Sequence, residues 1–302
     1  MRRFRTQAAR ENLLRQVRRQ RLKYITVLPS LVTILNGVCG FAAIVFASKG
    51  EGMSKPLNMS YFTVSAYLIL LAMVADMLDG RLARMSQSTS SFGGQLDSLC
   101  DVISFGLAPA FLMLKVMESK LAGIEQLNPM LESFLLRFIW LTAAVFISCA
   151  AIRLARFNVE NEEDESAHMS FMGLPTPAAA GVIASLVIFQ QETSADFEAS
   201  GFSSQYLYAN VLIYTLPFLA VWAAILMVSR IRYSHIVNQY IRGKKPFAHL
   251  IRVLLFLFLI IWSKHAALLL IFMGFAVSGF AKWLYFKAIK KPAPAPAVEQ
   301  AI

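Results

Sequence analysis

Four aspartates stand close together in a chain otherwise sparing with charge: Asp76 and Asp79, then Asp97 and Asp101. On helices the first pair is spaced i, i+3 and the second i, i+4, so each pair shares one helix face. A short turn around residues 86–91 would set the two faces against each other. Each ionised Asp inside a bilayer span costs about 3 kcal/mol on insertion scales, and crowded like charges repel as well. Something cationic must offset them. Carboxylate oxygens select hard divalent ions such as Mg2+ or Mn2+, and two such ions would balance four negative charges. Arg81 and Arg84 are the alternative, but they bring only two charges to the neighbourhood. Gly80 and Ala83 remove side-chain bulk beside the carboxylates, which lets a ligand approach the backbone. Arg84 carries a guanidinium fork suited to phosphate oxygens. A lone Gly in a membrane helix more often serves helix packing, but metals, a gap and a phosphate binder on one surface point to a diphosphate substrate.

The elements that must hold these residues are membrane helices. Of 302 residues 57% are hydrophobic and 16% charged, with 23 Phe, too apolar for a soluble domain of this size. Several apolar runs approach the roughly 20 residues needed to cross a bilayer. Eight are expected: Ile25–Ser48, Ser60–Met77, Leu99–Met117, Phe134–Ile152, Pro175–Gln190, Leu207–Val228, Leu250–Ser263 and Ala266–Phe286. Unbroken runs, in place of alternation over about ten residues, favour a helical bundle over a β-barrel. Cys39, Cys100 and Cys149 lack ligand spacing and read as packing thiols. His235, His249 and His265 are likewise too scattered for a metal site.

A net charge of +11 raises the question of nucleic acid. Its distribution excludes that partner, because Lys and Arg collect in alternate loops, as the positive-inside rule requires. With the N-terminus inside, 22 basic residues in or beside the inner segments fall on the inner side and five (Lys49, Lys55, Lys115, Lys120, Lys264) on the outer. Both termini are therefore expected in the cytoplasm. Residues 1–23 read as a basic amphipathic interfacial helix suited to anionic lipid headgroups. A catalytic membrane core would occupy 24–229, a basic cytoplasmic loop 230–248, two further membrane helices 249–286 and a flexible Pro/Ala tail 287–302. The basic start runs into a long apolar stretch without a small-residue cleavage pattern, so no secretory signal peptide is expected.

The pattern D-x2-D-G-x2-A-R-x8-G-x3-D-x3-D, filled by Asp76, Asp79, Gly80, Ala83, Arg84, Gly93, Asp97 and Asp101, resembles the signature of the CDP-alcohol phosphotransferases. The resemblance implies an all-α integral membrane fold: a six-helix core, here with about two extra C-terminal transmembrane helices. It implies a homodimer in the inner (cytoplasmic) membrane, with the site open to the cytoplasm. It further implies that Asp76, Asp79 and Asp97 bind divalent metal and that Asp101, at the same metal site, is the base for the acceptor alcohol. Gly80, Arg84 and Ser90 would contact the CDP headgroup of CDP-diacylglycerol, with Ala83 and Gly93 as neighbouring motif positions. Intramembrane Asp residues also line cation transporters. Transport needs carboxylates spread along a path, whereas these cluster at two adjacent helix ends.

Two further segments bear on the acceptor. Leu28-Pro29-Ser30-Leu31-Val32-Thr33 opens the first span, and Ala155-Arg156-Phe157-Asn158 precedes Phe171-Met-Gly173-Leu174-Pro175-Thr-Pro177. Both are similar to the phosphatidylserine synthase branch of the family, whose members commonly show P-N-L-x-T, A-R-F-N and F-x-G-L-P-x-P. Ser30 departs from that pattern, losing an amide donor; Thr33, placed with the CDP-diacylglycerol contacts, and Asn36 remain as polar groups near the membrane surface. Arg153 and Arg156 suit a carboxylate or phosphate, and Asn158 an amine or hydroxyl. Serine is the expected acceptor; glycerol 3-phosphate, inositol phosphate, choline, or serine on an archaeal lipid are the alternatives. Acidic residues at 160 and 162–165 sit uneasily in an inner loop but weigh little in topology. A reporter fused within 161–171 is expected to read out a cytoplasmic location; an external reading overturns the assigned orientation.

Overall fold

The structure, a computed structural model, describes residues 30–54, 58–86, 91–124, 128–163, 171–200, 211–233 and 264–289. Several expectations therefore lie outside the described residues: the interfacial helix 1–23, Ser90, the side chains of Ala83 and Arg84, most of the basic loop, the seventh span and the tail from 290 onward.

Helices dominate. α1 (Ser30–Ala47) leads through a two-residue hairpin, β1 (Met53–Ser54) against β2 (Met59–Ser60), into α2 (Tyr61–Ser86). Ser60 caps α2, its Oγ accepting the Thr63 backbone N–H at 3.0 Å, which satisfies one of the unpaired donors of the first turn. The expected second span stopped at Met77, where hydropathy falls, but the helix continues through both aspartates to Ser86. Backbone hydrogen bonding does not depend on side-chain polarity, so an apolar run can end while its helix goes on.

The third expected span is a single rod with an irregular middle. α3 (Ser91–Asp101) passes through a π-helical turn (Val102–Leu107) into α4 (Ala108–Ala122). Within the turn the Ala108 N–H reaches back five residues to the Ile103 carbonyl. Pro109 has no N–H to offer the Phe105 carbonyl, so regular α-helical bonding is already broken here and a wider turn absorbs the defect.

α5 (Pro129–Glu163) has 35 residues, about 50 Å at 1.5 Å per residue, and so projects beyond the hydrocarbon at one end. β3 (Phe171–Met172) pairs antiparallel with β4 (Arg232–Tyr233). α6 (Thr176–Ser200) enters through Pro175 and Pro177, in a first turn that tolerates missing N–H groups. α7 (Leu216–Val228) and α8 (Lys264–Ile289) complete the bundle. Among the described residues six helical stretches are long and apolar enough to cross a membrane: α1, α2, the α3–α4 rod, α5, the segment Val211–Val228 containing α7, and α8. α6, the fifth expected span, is not one of them. It is the bundle's centre, contacting α2, α7 and α8, with Ala179–Val187 almost completely buried.

Helices pack through small residues, since lipid supplies no hydrophobic drive for association between them. Ala43, Ala66, Ala72, Ala150, Ala180 and Ala224 are buried, while Phe41, Leu71, Trp140, Phe218 and Leu270 face outward. Cys39 and Cys100 are buried free thiols; a Cβ on Gly37 would lie 3.0 Å from the Cys100 Sγ, so that thiol fills a helix contact. The tightest approach that concerns the site is at Gly40, where an added Cβ would lie 2.6 Å from the Ser104 Cα. Gly40→Val should therefore cost about 1–3 kcal/mol by overpacking, read as a lower melting temperature in detergent. Gly274→Val, where a Cβ meets open space, should leave it unchanged.

Candidate active site

α2 and α3 bring the aspartates together at one end of the bundle. Asp76, Asp97 and Asp101 each offer an oxygen, all within 4.8 Å of one another. Oxygens on opposite sides of a divalent ion bound at about 2.0–2.6 Å are separated by a similar span. Asp79 stands next to this trio, 4% exposed, hydrogen-bonded by the Thr33 side chain of α1. Asp79 Oδ2 and Asp97 Oδ1 are buried without a hydrogen-bond partner. Orphaned carboxylate oxygens, crowded with like charge, fit a hard cation and are costly without one. The residues present therefore suit the divalent metal that the sequence pattern implies.

α1 closes the site from the side. Asn36, fully buried, donates from Nδ2 to Asp101 Oδ1 at 2.9 Å. The backbone of the same residue accepts from Ser104 Oγ, also at 2.9 Å, within the π-helical turn. Thr33 and Asn36 thus share one face of α1 and touch one aspartate from each pair.

α5 supplies the polar groups on the other flank. Arg153 lies within electrostatic reach of Asp101 and donates from Nη1 to Thr176 Oγ1 at 2.8 Å; its Nε is buried and unbonded. Asn158 and Ser98 are joined reciprocally: Ser98 Oγ lies 3.1 Å from Asn158 Oδ1 and 2.9 Å from its Nδ2, tying α3 to α5. Arg156 and Gly93 are half-buried. Gly80 behaves as a gap, since a Cβ there would meet no atom within 4 Å. Among the described residues no neighbouring helix closes on that glycine.

Sequence reasoning did not single out Ser98, Ser104 or Thr176. Ser98 adjoins Asp97, Ser104 follows Asp101 by three positions, and Thr176 sits between two prolines, but a lone hydroxyl in an apolar helix carries little signal of its own. Each is recognisable through its partner: Asn158, Asn36 and Arg153.

The fold and site define a multi-pass helical membrane protein with a buried carboxylate centre shaped for a hard cation. The profile described as CDP-alcohol phosphatidyltransferase matches residues 26–222, from just before α1 into α7. The chain belongs to that family. It is 30% identical over 258 residues to a Helicobacter pylori protein named CDP-diacylglycerol--serine O-phosphatidyltransferase, covering 85% of this chain and 91% of the relative. A Methanocaldococcus jannaschii protein of the same name is 31% identical, over 87% of this chain and 97% of its own. An archaetidylserine synthase from Methanothermobacter thermautotrophicus is 34% identical over 56% of this chain and 62% of its own. α8 lies beyond the matched region.

Because Gly80 faces open space, Gly80→Leu should leave the melting temperature within the small range of surface substitutions while cutting turnover by at least about tenfold through occlusion of a ligand. A drop in stability with turnover retained would return Gly80 to a packing role.

Proposed function

We propose that this protein transfers a phosphatidyl group from CDP-diacylglycerol to L-serine, giving phosphatidylserine and CMP. The observation that carries the reading is the carboxylate cluster of Asp76, Asp97 and Asp101, with Asp79 beside it, in a chain whose relatives are named for this reaction. Asp76, Asp79, Asp97 and Asp101 are the metal-holding residues, for one or two Mg2+ or Mn2+ ions. When bound, a divalent ion supplies electrostatic stabilisation of the charge growing on the diphosphate.

The chain's own residues do the rest. Asp101 takes the proton of the serine hydroxyl, an otherwise weak nucleophile. The hydroxyl oxygen forms a bond to the phosphorus bearing diacylglycerol. The bond from that phosphorus to the bridging oxygen breaks, and CMP leaves with the electron pair. Arg84, Ala83, Ser90, Gly93 and Thr33 belong to the CDP-diacylglycerol surface, and the gap at Gly80 admits the diphosphate. Arg153 and Arg156 are the candidates for the serine carboxylate, with Asn158 beside them. The site faces the cytoplasm of a protein in the cytoplasmic membrane, working as a homodimer with its basic N-terminus on anionic lipid. A cation transporter is the weaker reading, because the carboxylates gather at one depth instead of lining a path.

The archaetidylserine synthase among the relatives makes the donor lipid an open variable while keeping serine as acceptor. Purified protein in mixed micelles should release CMP from CDP-diacylglycerol on adding serine and Mn2+ or Mg2+, and should stop on chelation. Asp101→Asn is expected to lower turnover by about 100-fold or more, within the usual range of about 10²–10⁴ for a general base. Radiolabelled serine that yields no lipid, while another alcohol releases CMP, rejects the acceptor; near-wild-type turnover of Asp101→Asn rejects the base.

A further inference from the structure

The sequence places Asn36 among groups available to the acceptor, but its amide N–H is engaged elsewhere, while its Oδ1 is buried without a hydrogen-bond partner. Asn36 is completely buried on α1, and its amide N–H is donated to Asp101 Oδ1 across 65 positions of sequence. Three further contacts hold that amide in place. Ser104 Oγ binds the Asn36 carbonyl at 2.9 Å. Gly40, one turn along α1, lets the helix approach so closely that a Cβ would collide with Ser104. Gly37 lies against Cys100, the neighbour of Asp101. The π-helical turn begins immediately after Asp101 and carries Ser104, so the irregularity in the rod sits where α1 grips it.

A carboxylate on a helix can rotate about two side-chain torsions. An amide donor fixed to one of its oxygens removes that freedom and determines which lone pairs remain for other partners. We infer that Asn36 is the positioning residue of Asp101: through one hydrogen bond from α1 it holds that carboxylate in the orientation that joins it to Asp76 and Asp97. α1 therefore completes the centre formed by α2 and α3 without contributing a carboxylate. Outer partners of this kind commonly change metal affinity or activity by 10–100-fold. The inference rests on reading the aspartates as a metal centre, and the experiment separates the two.

The test uses full-length protein in detergent and Mn2+ alone, followed by electron paramagnetic resonance, together with steady-state kinetics. Asn36→Leu, with the same branched skeleton but without a donor, should weaken Mn2+ binding and lower kcat each by about tenfold or more, with the KM for serine within about twofold. In an Asp101→Asn background the same substitution should add little to either loss, because residues that act through one another are not additive. Asn36→Ala is measured alongside, and it decides the matter if Asn36→Leu does not elute as a single folded species. A raised serine KM with kcat and Mn2+ affinity unchanged would return Asn36 to an acceptor contact. Losses that add fully to those of Asp101→Asn would also overturn the inference. Wild-type protein that binds no Mn2+ would instead remove the metal reading on which it stands.

Discussion

Holding several carboxylates together inside a bilayer is the constraint from which the rest of this structure follows. Asp79 and Asp101 are buried and Asp76 and Asp97 half-buried, so water solvates them incompletely, and their mutual repulsion grows as the surrounding dielectric falls. The protein meets the constraint by placing each aspartate against a fixed donor or an expected cation. Asp79 takes Thr33, Asp101 takes Asn36, and buried oxygens of Asp79 and Asp97 are left for a ligand. A centre assembled from α1, α2 and α3 requires these helices to sit much closer than bulky side chains allow. The glycines and alanines at their contacts are the means.

That requirement reaches across the bundle. α3 must present two aspartates one turn apart and then turn Ser104 toward α1, which a uniform helix with Pro109 in its path does not do. The π-helical turn reconciles the two demands. On the opposite flank the Ser98–Asn158 pair fixes α3 to α5, and Arg153–Thr176 fixes α5 to the start of α6. The polar side chains of the site are thus also its interhelical ties, and in a membrane such ties are among the few directional forces available.

Much of this was legible in the sequence because it depended on local spacing. The i, i+3 and i, i+4 pairs and the apolar runs each needed only a window of residues. Ser86 as the end of α2 was not legible, since hydropathy falls at Asp76 while the backbone ladder continues. Nor was the engagement of Asn36 with Asp101, which depends on a pairing of distant helices. Gly80 and Gly40 look alike as letters; only the space around each shows that one leaves a gap and the other permits a contact. The two-residue hairpins are too short to have any periodicity.

The placement of α6 has a consequence for how the chain is made. It occupies the centre of the bundle, buried from Ala178 to Ile188, and among the described residues it is not one of the six stretches long and apolar enough to cross a membrane. Its start is clasped by residues synthesised later: the Gly173 N–H bonds the Ile231 carbonyl and the Leu174 N–H bonds the Leu226 carbonyl. During synthesis this helix reaches the translocon before α7 and those clasps exist. Until those later residues arrive, the Gly173 and Leu174 N–H groups lack these partners. Residues C-terminal to α6 thus complete the hydrogen bonding of the segment that leads into it, and truncation after α6 removes both clasps.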